Sequence, residues 1–149
     1  MNTVLVATDG SRGANAAVRE GLELAQQTGA AVTFVAVRPT PLPVLGDPFF
    51  QRALIEDSAA LRGAVIEAVD EADRRGIPTD YEILEGDPAA EIVRLARLRD
   101  VDLVVVGSRG RGAVTAAVLG SVSRRVVHEA ERPVLVVNER VAARADLVA

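Results

Sequence analysis

Short apolar runs alternate along the chain with longer stretches whose apolar residues recur every three or four positions. Residues 3–7 (TVLVA) are brief and β-branched, as a buried strand is. After the turn residues Asp9-Gly10-Ser11, the series Ala14, Ala17, Val18, Leu22 and Ala25 marks one face of a helix, and Gly29 is its stop signal. Residues 31–37 (AVTFVAV) predict a second strand. Residues 38–50 hold four of the seven prolines without periodicity and read as a mobile surface loop. A long helix is expected over 52–75, with Leu54, Leu61, Val65, Ala68, Val69 and Ala72 inward and Gly76 and Pro78 ending it. Residues 79–84 (TDYEIL) alternate as a half-exposed or edge strand does. Asp87 and Pro88 fit the cap and first position of a helix carrying Ile92, Leu95 and Ala96, with Arg99 at its end. Residues 102–106 (DLVVV) predict a central strand and 107–112 (GSRGRG) a glycine loop. Residues 113–119 then form a turn or two of helix, Ser121 caps a helix to about 130, and 133–137 (PVLVV) form a last strand.

This β-α-β-α-β-α-β-α-β order implies one parallel sheet with helices on both faces. In such sheets ligands sit beyond the strand C-termini, where the winding reverses. Four stretches therefore become candidates for a site: Thr8–Ser11, Val37–Arg38, Glu85–Pro88 and Gly107–Ser123.

The chain has 149 residues, which fits a single domain. There are no cysteines, which excludes disulfides, thiolate chemistry and cysteine-held metals. All seventeen basic residues are arginine, which removes lysine chemistry, including the lysine of a Walker A loop. A net charge of −4 and few aromatics argue against nucleic acid. The first ten residues lack the basic start of a signal peptide, and no apolar run approaches bilayer length. A soluble, cytoplasmic protein is the expectation.

Gly107, Gly110, Gly120 and Ser121 form the pattern G-x2-G-x9-G-S directly after the fourth strand. Its logic is anion capture. Glycines let backbone approach a phosphate and tolerate positive φ, and a helix opening at Ser121 offers unpaired N–H groups and a favourable dipole. Ser121 and Ser123 add hydroxyl donors. From Leu103 to His128 no acidic residue occurs, while Arg109, Arg111, Arg124 and Arg125 do. That island of positive charge in an acidic chain favours a polyanion. The lone His128 reads as a surface or packed side chain, and the serines have no recognisable triad partners. No catalytic or metal-ligating residue is therefore singled out. Asp9 reads as a turn or helix-cap carboxylate before the first helix.

These motifs resemble the universal stress protein family, in particular its ATP-binding branch. The likeness runs from VLVATDGS (4–11) through EGDPAAEIV (85–93) and DLVVVGSRGRG (102–112) to LGSVSRRVVHEAERPVLVV (119–137). The resemblance implies a Rossmann-like sheet in strand order 3-2-1-4-5, a nucleotide-binding domain over 1–138 with 38–50 as a variable loop, and a tail over 139–149. It also implies a site. Gly107, Gly110, Gly120 and Ser121 would hold phosphates, assisted by Arg109, Val122 and Ser123. Ala7, Thr8 and Asp9 would meet the ribose and adenine side, Val37 the adenine edge, and Val106 the pocket wall. The ligand implied is ATP, with or without Mg2+. The function is nucleotide-dependent regulation or stress response, with an unidentified regulatory protein as partner. A slow ATPase of the same fold, or a dimeric scaffold with a vestigial site, are the alternatives. The apolar final strand, 133–137, is the expected seam of a homodimer.

Overall fold

A computed structural model describes residues 1–40, 48–109 and 119–139. Five parallel strands form one sheet: β1 (Thr3–Ala7), β2 (Ala31–Arg38), β3 (Thr79–Glu85), β4 (Leu103–Gly107) and β5 (Val134–Val137). Their spatial order is β3-β2-β1-β4-β5, as expected. The reversal point lies between β1 and β4, which pair through Val4–Leu103, Leu5–Val104 and Val6–Val105. The connecting helices are α1 (Arg12–Thr28), α2 (Pro48–Arg74), α3 (Pro88–Leu98) and α4 (Ser121–Glu129).

The alternation of strand side chains divides the core in two. Val4, Val6, Val32, Phe34 and Val105 point to one face, where Ala17, Leu22 and Ala25 of α1 and Ala68 and Ala72 of α2 cover them. Leu5, Val35, Val37, Val104 and Val106 point to the other, under Ile92, Leu95 and Ala96 of α3 and Val126 of α4. Central strands buried on both faces are why their sequences read as continuous apolar runs.

Local chemistry sets the helix ends. Ser11 caps α1, its hydroxyl accepting the N–H of Ala14 at 3.2 Å, and Gly29 ends it in the left-handed region at φ 73°. Of the two roles expected of Asp9, turn or cap, it takes the turn: its Oδ1 accepts the N–H of Ser11 at 2.9 Å and shapes the chain before the helix. Asp87 caps α3 by accepting from Ala90 at 3.1 Å, with Pro88 in the first turn. Arg99 lies just beyond α3 and contributes nothing to its buried face. Its guanidinium instead reaches Asp80 and Glu82 on β3, at 2.8 and 2.6 Å.

Several boundaries shift from expectation, two of them at helix starts. Residues 48–50 belong to α2 rather than to the proline-rich loop, because proline in a first turn loses no needed hydrogen bond. Gly120, not Ser121, is the cap position of α4, and Ser121 is its first helical residue. The expected helical turn at 113–119, apart from Leu119, the core of the 38–50 loop at 41–47 and the tail at 140–149 lie outside the described residues.

Small residues let α1 approach the sheet closely. A methyl group at Gly21 would lie 2.6 Å from a Val6 methyl, and one at Gly13 would run into the carbonyl oxygen of Arg109. One at Gly107 would lie 2.5 Å from the carbonyl carbon and oxygen of Gly13. The start of α1 and the end of β4 are therefore in backbone contact.

Candidate functional site

The C-terminal ends of the strands open into a cleft of about 610 Å³, within the usual range of ligand pockets. The strand ends that frame it are held by hydrogen bonds continuing past the ladders: Thr8 N–H to Val35 O at 2.9 Å, Gly86 N–H to Arg38 O at 2.9 Å and Ser108 N–H to Val137 O at 2.8 Å. Ala7, Thr8 and Asp9 line it from β1, Val37 from β2, and Val106, Gly107 and Arg109 from β4. Gly120, Ser121, Val122 and Ser123 close it from the start of α4. Eleven of the twelve residues expected at the site thus surround one space. The twelfth, Gly110, lies outside the described residues.

The start of α4 is fixed by three hydrogen bonds. The amide of Gly120 donates to Ser108 O at 2.7 Å. The Ser123 hydroxyl donates to Ser108 O at 3.1 Å and to Gly120 O at 3.0 Å, and Ser123 is buried. The Gly120 amide and the Ser123 hydroxyl therefore serve the fold. Ser121, Val122 and Ser123 line the cleft, and theirs are the amides that a helix start leaves without intrahelical partners. They carry the positive end of the helix dipole.

Gly107 acts by space rather than by φ. Gly120 has φ −62° and ψ 159°, open to any residue. Gly107 is absent from the described positive-φ residues, and its side-chain direction is filled by Gly13. The tolerance of positive φ that glycine offers is not used at Gly107 or Gly120; at Gly107 the structural reason for glycine is contact with α1.

The positive island does not converge on the cleft as a block. Arg109 lines it. Arg125 turns away instead, its guanidinium 2.6 Å from Asp87 and 3.2 Å from Glu129. Arg125 lies one helical turn beyond Ser121, roughly 6 Å further along α4, which sets it beside Asp87 at the start of α3. Arg124 is exposed and donates to Leu119 O at 3.4 Å, and Arg111 lies outside the described residues. His128 is exposed on α4. A second arginine reaches the cleft from β2: Arg38 donates to Ser58 Oγ at 2.9 Å and also pairs with Glu85.

Sequence reasoning missed the parts of the wall that α2 and α3 supply. Leu54, Asp57 and Leu61 of α2 and Ile92 of α3 line the cleft. Their spacing announces only buried helix faces, so no motif distinguishes them from core. Gly13 was missed too, although Gly13 and Gly21 share a face with Ala17 and Ala25, a run of small residues that announces close approach.

The fold and cleft define an α/β protein whose candidate site lies at the switch point of a parallel sheet. The model of the universal stress protein family matches residues 1–138, and the chain belongs to that family. It is 39% identical to a universal stress protein of Thermus aquaticus, over 91% of this chain and 97% of the relative. The structure of UspA from Lactobacillus plantarum superposes with a TM-score of 0.82 at 26% identity, covering 91% of this chain and 97% of that one. A universal stress protein solved in complex with cAMP superposes with a TM-score of 0.66 at 28% identity, covering 93% and 97%.

Proposed function

We propose that this universal stress protein binds an adenine nucleotide, ATP foremost, in the switch-point cleft, and that occupancy regulates its action in a stress response. The observation that carries the reading is the convergence of the α4 amides and Arg109 at one side of the cleft with the ends of β1 and β2 at the other. The ends of β4 and β2, with β1 between them, are two strand spacings apart, roughly 10 Å, which suits a nucleoside joined to a phosphate chain. Phosphates fall to the α4 start and Arg109. The base falls to Val37 and the apolar wall of Leu54 and Leu61, and the ribose or a phosphate-bound Mg2+ to Asp9. The cAMP held by a similar universal stress protein supports an adenine nucleotide as the class.

The test has two arms. Freshly purified protein is denatured and any released nucleotide identified. ATP is then titrated calorimetrically into the unmodified chain and into Gly120→Val. The backbone at Gly120 accepts valine, so the fold should persist while the side chain blocks the phosphate position. Unchanged ATP affinity in that variant overturns the assignment.

We further propose a homodimer paired along β5. The strand lies at a sheet edge, and Val134, Leu135 and Val136 are only half-buried within one chain. Pairing with a second copy would satisfy the open backbone groups and cover these side chains.

A further inference from the structure

Arg109 has a second partner behind the cleft. Its side chain, 24% exposed, lines the cleft, yet its Nη2 lies 3.9 Å from Oε2 of Glu139. The other carboxylate oxygen of Glu139, Oε1, lies 3.8 Å from Nη1 of Arg12, the first residue of α1. Glu139 does not line the cleft itself; it stands two residues past the end of β5. A carboxylate is thus shared between an arginine that faces the ligand space and one that is 89% exposed.

We propose that Glu139 is an intramolecular competitor for Arg109 that holds down the affinity of the cleft for phosphorylated ligands. This rests on reading the cleft as a nucleotide site. At nearly 4 Å the Arg109–Glu139 pair is loose, and pairs of that kind in part-exposed positions are weak. A phosphate offers the guanidinium shorter, charge-assisted and bidentate hydrogen bonds, so it wins the contest when it arrives. Arg12 is the reason the exchange is cheap: the displaced carboxylate keeps a counter-charge and is not left unpaired. The coupling is reciprocal. A bound phosphate weakens the hold of Arg109 on Glu139, and so loosens the chain just past the edge strand β5. The cleft thereby gains a route to the edge at which we place the dimer seam.

The experiment is a double-mutant cycle on the full chain. ATP is titrated calorimetrically at low ionic strength into the unmodified protein, Glu139→Gln, Arg109→Gln and the double variant, with melting curves to establish that each is folded. Glu139→Gln should bind ATP about five-fold more tightly, the scale of a part-exposed ion pair. In the Arg109→Gln background that gain should vanish. Equal ATP affinity of Glu139→Gln and the unmodified protein overturns the proposal while leaving the nucleotide site standing. A gain of the same size without Arg109 also overturns it, because it would report bulk charge rather than competition. Absence of ATP binding in all four proteins overturns the nucleotide reading and this proposal together.

Discussion

Replacing Gly107 by alanine separates two roles that a glycine beside an anion site can have. A glycine kept only so that phosphate can approach should leave the ligand-free protein's stability untouched when it gains a methyl group. The structure argues otherwise, because that methyl would lie 2.5 Å from the carbonyl carbon and oxygen of Gly13 and 3.0 Å from the amide nitrogen of Ala14. Carbon contacts are favourable near about 3.5 Å, so the end of β4 and the first turn of α1 must part by roughly 1 Å. Both sides of the contact are backbone, with no flexible side chain to swing aside. Overpacking of this kind costs about 1–3 kcal/mol. For a domain of this size each kcal/mol lowers the melting temperature by about 2–4 °C, so Gly107→Ala should melt roughly 2–12 °C lower without ligand. Gly63 supplies the control. It lies in the middle of α2 with nothing within 4 Å of an added methyl, so Gly63→Ala should stabilise by about 0.5–1 kcal/mol. Calorimetric melting of both variants, with ATP titration alongside, reads the outcome. Gly107→Ala should lose stability and nucleotide affinity together, since the displaced first turn of α1 follows directly on Asp9 and Ser11 in the cleft. Affinity lost with an unchanged melting temperature would refute the packing argument and return Gly107 to the ligand alone.

Acid should weaken the fold through two carboxylates. The N–H of Ala90 and then the Arg125 guanidinium hold Asp87 below its ordinary pKa, and the amides of Asn2 and Thr3, at 2.6 and 3.0 Å, hold Asp102 below its own. Groups depressed on folding stabilise fully above their unfolded pKa, near about 4, and that contribution is lost as pH falls through the folded value. Melting temperature should therefore drop below about pH 4, and Asp102→Asn should flatten that limb while melting lower at neutral pH; an equally steep limb in the variant counts against Asp102. For assembly, sedimentation of the unmodified chain should give a dimer mass with and without ATP. Val136→Arg should give a monomer, and a monomeric unmodified chain removes the β5 seam.

What the sequence determined by itself is the set of local decisions. Ser11, Gly29 and the Asp87-Pro88 pair end helices through hydrogen bonds and dihedral preferences that reach only a few residues along the chain. Apolar runs of strand length separated by helical periods leave little choice but a parallel sheet, and the sheet's winding then places the glycine segment opposite Asp9. That winding marked the stretches to search, and the resemblance to universal stress proteins supplied the individual candidate positions within them. Tertiary structure alone decided which groups face the ligand space. Arg125 belongs to the same run of positive charge as Arg109, yet its place one turn along α4 brings it to Asp87 at the start of α3 instead. Leu54, Asp57 and Leu61 enter the cleft only because α2 folds back over β2, a placement that helical periodicity leaves open. Gly107 looks like one member of a phosphate motif in one dimension, and in three it is also the half of a backbone contact completed by Gly13. The difference is physical. Caps and turns are settled by neighbours along the chain, whereas the direction of a side chain across a cleft depends on packing between elements distant in sequence.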